Sequence, residues 1–150
     1  MQINTTRFGV VALEMDDVFH FPQGLIGLES YRHWCLLRDP ANDAVAWLQS
    51  VSTASLALPT ASPRQFAPDY RVQLHKRQLE SLELGPADET YVLVVLASGD
   101  GLLTANLRAP IVINFDRRIG KQVVTSAPDP VAFALASDSF AASTALRKSA

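Results

Sequence analysis

Short apolar runs separated by turn-forming residues account for most of the chain. Runs of about 4–8 apolar residues bounded by Gly, Pro, Asn or Asp are typical of strands, and a period near two is typical of a half-buried strand. Such segments lie at 18–22, 33–37, 45–51, 55–58, 91–97, 102–107, 111–115 and 121–125. Short turns join most of them. The pattern predicts an all-β domain, a small closed or nearly closed antiparallel β-barrel.

Residues 75–84 are the one segment that predicts a helix. Leu79 and Leu82 recur three positions apart between charged residues, which is helical spacing. Gly85 stands where helices commonly end, and Pro86 prevents continuation. We therefore expect one short helix near residues 75–84.

The positions of the prolines argue against regular secondary structure just before this helix. Pro59 is expected to end the strand at 55–58, because proline has no backbone N–H to donate to a ladder. Three prolines between residues 59 and 69 then argue against a regular element in that stretch.

The composition changes after Ser126, where the sequence becomes rich in Ala and Ser and poor in β-branched residues. We therefore expect a barrel domain over residues 1–125 and a C-terminal tail over residues 126–150. A helix that begins after Pro130 and a flexible tail both remain open for this segment.

Composition and charge place the chain among single-domain globular proteins. Its 150 residues are 48% hydrophobic and 19% charged, and 15 acidic against 13 basic residues give a net charge of -2. This balance argues against a dedicated polyanion binder. The longest uncharged apolar run, Tyr91–Ala97, is far shorter than the roughly 20 residues of a membrane helix. The N-terminus lacks signal-peptide order and Cys35 is the only cysteine, so we expect a cytoplasmic protein.

Residues that could support catalysis or metal binding are sparse. His20, His33 and His75 are dispersed, and no two have the spacing of a zinc site. Cys35 lies between Trp34 and Leu36, which favours a buried inert thiol over a nucleophile. No nucleophile elbow or glycine-rich phosphate loop is present. We therefore expect no enzymatic activity and no catalytic, cofactor-binding or metal-binding residues.

Charged residues are unevenly distributed in the second half of the chain. No Lys or Arg occurs from Gln78 to Leu107, whereas the following segment is basic. One interpretation is a solvated helix followed by a solvated hairpin tip. The other is an acidic surface for a basic protein partner, where complementary potential sets orientation and association rate. The acidic candidates are Glu80, Glu83, Asp88 and Glu89, and the basic residues are Arg108, Arg117, Arg118 and Lys121.

Three separated segments resemble the FliW family of flagellar assembly factors. FPQGLIGLESY at 21–31 is similar to the family's Phe-Pro-x-Gly-Leu-x-Gly motif, and WLQSV at 47–51 is similar to its Trp-Leu-Gln-Ser segment. TANLRAPIVINFDRRIGKQVV at 104–124 resembles its longest motif. Order and spacing also agree from about Phe19 to Val124. The tail after residue 125 does not reproduce the Tyr- and His-containing end that many members have.

The resemblance implies a cytoplasmic β-barrel protein without enzymatic activity. Members of this family bind newly made flagellin, as a chaperone does, and also bind the RNA-binding translational regulator CsrA. Export of flagellin frees the factor, which then binds CsrA and relieves repression of the flagellin message. The resemblance thus implies flagellin and CsrA as partners. We also expect a monomer that contacts neither nucleic acid nor membrane. No cofactor is implied.

The motif residues themselves are expected to be structural, because glycines serve unusual backbone conformations and asparagines in apolar strands bond to neighbouring backbone. These residues are Pro22, Gly24, Gly27, Asn106, Pro110, Asn114 and Gly120. From the residues alone, two other functions stay open. One is a barrel that binds an apolar ligand in an interior cavity. The other is a barrel that binds single-stranded nucleic acid through Arg117, Arg118 and Lys121.

Overall fold

Strands dominate the computed structural model, which describes residues 1–99 and 101–135. Within these residues, 3₁₀ helices occur at Met15–Asp17, Pro63–Gln65 and Lys76–Leu82. The strands in the same residues are β1 (Gln2–Thr5), β2 (Gly9–Ala12), β3 (Phe19–His20), β4 (His33–Arg38), β5 (Ala46–Ser50), β6 (Ala57–Ala61), β7 (Thr90–Gly99), β8 (Leu102–Ala105), β9 (Ile111–Asn114), β10 (Ile119–Gln122) and β11 (Phe133–Ala134).

Seven strands close into a barrel, which confirms the predicted fold class. The ring runs β3–β4–β5–β6–β7–β9–β10 and returns from β10 to β3. Every neighbouring pair is antiparallel except the last, in which Ile119 of β10 pairs in parallel with His20 of β3. The sheet is therefore mixed at this one seam. The hairpin of β1 and β2 lies outside the ring.

One edge of β7 is shared by two strands, β9 and β8. Leu93 pairs with Ile111 of β9, and Leu96 pairs with Ala105 of β8. Residues 106–110 therefore bulge between two parts of what is in effect one interrupted strand. Asn106 holds this bulge, because its Oδ1 accepts the backbone N–H groups of Arg108 (3.0 Å) and Ala109 (3.1 Å).

Both faces of most barrel strands are buried, which explains the long apolar runs of the sequence. The barrel interior contains Phe19, Phe21, Leu25, Trp34, Leu48, Ile111 and Ile113. Three covers protect the outer faces. The hairpin of β1 and β2 packs over Cys35, the helix Lys76–Leu82 packs over Val112, and β8 with β11 packs over Trp47.

The expectation that Pro59 ends its strand is wrong. β6 continues through Pro59 to Ala61, and Thr60 pairs with both Ala46 and Val95. The strand tolerates the proline because it stands where the ladder to the next strand stops, so only one ladder bond is lost. The ladder between β6 and β7 does stop there, since its two pairs are Thr60 with Val95 and Ala61 with Val94.

The predicted helix is a 3₁₀ helix. Leu79 and Leu82 pack against the barrel as their spacing predicted. The element ends before Gly85, because Glu83 adopts the left-handed conformation (φ 52°) at its C-terminal cap. A non-glycine residue in that conformation is uncommon.

Part of the expected tail forms a strand. Phe133 and Ala134 of β11 pair with Ala105 and Thr104 of β8, and the helix offered as one alternative after Pro130 is not formed over residues 131–135. The remaining tail residues, 136–150, lie outside the described residues. The domain boundary at residue 125 stays a prediction.

Candidate partner-binding surface

The four predicted acidic residues lie close together in the chain but are not equivalent in the structure. Glu80 is on the exposed side of the 3₁₀ helix, Glu83 is at its C-terminal cap, and Glu89 precedes β7. All three are exposed, whereas Asp88 is half-buried. The three glutamates are therefore the accessible members of the predicted set, and we call them the acidic surface.

Asp88 is occupied by intramolecular hydrogen bonds. Its Oδ2 accepts the backbone N–H of Gly85 at 2.8 Å and the side-chain amide of Asn114 at 3.0 Å. Those bonds, together with the nearby Arg117 guanidinium, hold the pKa of the Asp88 carboxyl below its usual value. The residue thus stabilises the turn that carries Glu83 and Glu89.

The basic segment folds back onto the acidic one. Arg117 Nε lies 3.4 Å from Asp88 Oδ2, and Arg117 Nη1 lies 3.8 Å from Glu83 Oε1. Lys121 Nζ donates to the backbone carbonyl of Gln78 at 3.0 Å. The acidic residues therefore have a base beside them in space, although no Lys or Arg occurs from Gln78 to Leu107. Arg117 and Asp88 are 29 positions apart, so no local sequence signal could have joined them.

Aromatic rings border the acidic surface on the side of β7. The Tyr91 hydroxyl donates to Glu89 Oε1 at 2.7 Å, and this bond with the neighbouring charge raises the pKa of Tyr91. Tyr91 packs edge-on against Phe115, with ring centroids 4.7 Å apart. The Arg118 guanidinium lies 4.5 Å from the Phe115 ring centroid, within cation–π range. Sequence reasoning singled out Arg118 but not Tyr91.

The loop after β3 depends on two glycines of the first motif. Gly24 has φ 64°, and a Cβ added there would lie 2.6 Å from the backbone of Glu29. Gly27 also has positive φ, and its N–H donates to Glu29 Oε2 at 2.8 Å. The loop is tied to β10, because Gln122 Oε1 accepts the N–H of Ile26 at 2.9 Å.

The remaining motif residues also lie in or beside the barrel wall. Gly120 is buried in β10, where a Cβ would overlap the ring of Phe21, and half-buried Pro22 follows that ring directly. Pro110 is buried, and its carbonyl accepts the N–H of Val123 at 2.9 Å.

The structure keeps the three histidines and Cys35 from forming one cluster. His20 and His33 face each other across β3 and β4 with ring centroids 5.0 Å apart, and His75 caps the 3₁₀ helix. Burial, with a smaller contribution from the Asp17 charge, raises the pKa of Cys35 to about 11, so the thiolate is disfavoured at neutral pH.

Over residues 1–99 and 101–135, no three His, Cys, Asp or Glu side chains are grouped to hold a metal ion. In the same part of the chain, no helix is long and apolar enough to span a membrane.

Comparison with known proteins points to one family. A family model described as FliW protein matches residues 2–133, which include all seven barrel strands. The flagellar assembly factor FliW of Bdellovibrio bacteriovorus is 40% identical over 126 residues, which cover 83% of this chain and 72% of that protein. The flagellar assembly factor FliW of Thermoanaerobacter pseudethanolicus is 33% identical over 127 residues, 83% of this chain and 85% of that protein. A crystal structure of the flagellar assembly factor FliW matches with TM-score 0.80 at 29% identity, covering 91% of this chain and 95% of that one.

Proposed function

The chain belongs to the FliW family, and from this premise we propose that it binds flagellin in the cytoplasm and, once released, binds and antagonises the translational regulator CsrA. The relatives are flagellar assembly factors, and the match to them carries the proposal. The role needs no catalysis, because it is a competition between binding equilibria.

The proposed regulation follows from mass action on a shared binder. While flagellin accumulates, it occupies the factor, and little is free to bind CsrA. Export removes flagellin, raises the concentration of free factor and so lowers the concentration of free CsrA. Flagellin translation then resumes.

The acidic surface is the proposed contact for CsrA. Glu80, Glu83 and Glu89 are exposed, and complementary charge would steer a basic protein toward them and repel RNA phosphate near the complex. Arg117 reduces the local negative potential beside Glu83. Asp88 belongs to the same site as the residue that holds its shape.

Co-purification tests the two partners. The full chain is mixed in turn with tagged flagellin, tagged CsrA and a CsrA-binding RNA alone. The proposal expects stable complexes with both proteins and no gel shift with the RNA. Addition of flagellin should release CsrA from the factor in proportion to the flagellin added. Failure to bind flagellin, or failure to bind CsrA, would each refute the proposed function.

Charge reversal tests the surface. Glu80→Lys with Glu83→Lys should slow CsrA association by about tenfold at low ionic strength. The double change should also weaken the salt dependence of the CsrA affinity. Asp16→Lys with Asp43→Lys is the matched control, because both residues are exposed and the change in net charge is the same. Flagellin affinity should change less, since capture of apolar helices leans on an apolar groove. Equal effects of the two double variants would show that only net charge matters and that the interface lies elsewhere.

A further inference from the structure

A cleft of about 560 Å³ opens where β6 and β7 separate. Side chains of β5 form part of its lining, and the residues that follow β1 border it on another side. It lies apart from the acidic surface, since none of Glu80, Glu83 and Glu89 lines it. No step of the proposed function uses it.

The cleft exposes backbone groups that a sheet would normally pair. The ladder between the two strands contains Thr60 with Val95 and Ala61 with Val94 and goes no further within the described residues. The next position in register places Pro59 opposite Leu96, and proline has no N–H to donate to the Leu96 carbonyl. Beyond it, Ser98 pairs with β8 on its far side but has no strand neighbour on the cleft side. This stretch of β7 is therefore an open strand edge inside a cleft.

A buried amide in the cleft has an unused acceptor. Gln49 is fully buried, and its Nε2 lies 3.0–3.3 Å from the carbonyls of Ser50, Thr53, Ala54 and Leu56, which share its two N–H groups. These four acceptors fix which end of the amide is nitrogen. Its Oε1 has no hydrogen-bond partner among residues 1–99 and 101–135. Buried acceptors are nearly always paired, so an occupant with a donor would complete the site.

Arg7 gives the cleft its charge. It is the only charged residue among the described lining residues, and it is exposed. Its guanidinium lies 3.8 Å from the centroid of the Trp47 ring, and the described residues provide it with no ion pair. Trp47 is in turn fixed by a 2.9 Å bond from its Nε1 to buried Asp39. A guanidinium held over a rigid ring, with no ion pair among the described residues, is placed to receive a carboxylate.

We propose that this cleft binds an extended peptide segment that carries an acidic side chain and adds it as a strand to the open edge of β7. The Ser98 backbone offers the cleft-side ladder position, Arg7 receives the carboxylate and Gln49 Oε1 accepts a donor from the segment. Much of the remaining lining is small, including Ala54, Ala57 and Ala97, which leaves room for a peptide backbone. A compact small molecule would leave the strand edge unpaired.

Selection from a random octapeptide display library on the full-length protein tests the proposal. Enriched sequences should combine Asp or Glu with β-branched residues. The affinity of the best peptide is then measured by fluorescence polarisation for variants with unchanged thermal unfolding. Arg7→Glu should weaken binding by about tenfold. Arg64→Glu is the matched control, since it makes the same charge change at an exposed residue outside the cleft, and it should leave affinity within about twofold.

Two further measurements separate strand addition from a charge effect. Ser98→Pro removes the N–H on the cleft side and should weaken binding by about fivefold or more. N-methylation along the selected peptide should abolish binding at alternate positions only, because successive backbone groups of a strand point to opposite edges. No enrichment, equal affinities of the Arg7 and Arg64 variants, or N-methyl effects without alternation would each overturn the proposal.

Discussion

The side-chain amide of Asn114 donates to Asp88 Oδ2 at 3.0 Å and so joins β9 to the turn that follows the 3₁₀ helix. The same nitrogen donates to the Leu82 carbonyl at 2.9 Å, and Asn114 Oδ1 accepts the backbone N–H of Arg117 at 3.3 Å. One buried side chain therefore sets the position of both charged segments. The candidate surface therefore depends on a side chain that is itself fully buried.

Asn114→Ala should lower the free energy of unfolding by about 2–4 kcal/mol, because it leaves the Leu82 carbonyl without its buried donor and removes the bonds to Asp88 and to the Arg117 N–H. Urea unfolding at neutral pH measures this. Asn4→Ala is the control, since Asn4 is exposed on β1 and should change stability by about 0.5 kcal/mol or less. A loss below about 1 kcal/mol for the Asn114 variant would contradict the bonding described.

Acid should weaken the contribution of Asp88. Its pKa is lower in the folded protein than in the unfolded chain, so the stability it contributes is complete above the unfolded value of about 4 and is lost as pH falls through the folded value. We expect Asp88→Asn to be less stable than the natural protein at pH 6 and the difference to shrink toward pH 3. Unfolding curves at several pH values measure this difference. A difference that grows as pH falls would contradict the assignment.

Two glycines in one loop allow strain and close packing to be separated. Gly24 and Gly27 both have positive φ, but only at Gly24 would a Cβ meet backbone. Gly27→Ala should cost about 1–2 kcal/mol for the conformation alone. Gly24→Ala should cost about 2 kcal/mol more, because the Glu29 backbone must also move. Thermal unfolding of the two variants tests the order, and equal losses would show that the loop relaxes.

Truncation tests the predicted domain boundary. Removal of residues 128–150 deletes Phe133, whose ring centroid is 6.0 Å from that of Phe66, and exposes the outer edge of β8. We expect the shortened protein to unfold cooperatively but with about 1–3 kcal/mol less stability. Truncation after Leu135 is the control that separates the contribution of residues 128–135 from that of 136–150. Loss of cooperative unfolding in the shorter protein would show that the domain does not end near residue 125.

Much of the barrel was predictable because its strands are buried on both faces and read as apolar runs. β4, β5, β7 and β9 were all found this way. β1 and β2 were missed, since their hairpin covers the barrel from outside and alternates weakly between apolar and polar residues. The run at 121–125 was predicted as a strand, but β10 begins at Ile119, because the turn before it uses the left-handed conformation of Arg118.

The candidate surface was predictable only as a list of charges. Exposure of Glu80 followed from the inward side chains of the same helix, Leu79 and Leu82. The engagement of Asp88 by Asn114 and the approach of Arg117 depend on strand pairing across the barrel. Local sequence carries no signal for such contacts, and the same holds for the cleft between β6 and β7.

We expect the parallel seam between β3 and β10 to close late in folding and to open readily in the folded protein. Its single pair joins residues about 100 positions apart, so the chain must order most of the molecule before that contact forms. A ladder this small should also be the first to open in the native state. The amide of His20, which donates to the Arg118 carbonyl at 2.8 Å, should therefore exchange with deuterium faster than the amide of Leu48 in β5. The barrel would then open transiently at the seam that joins its first motif to its last.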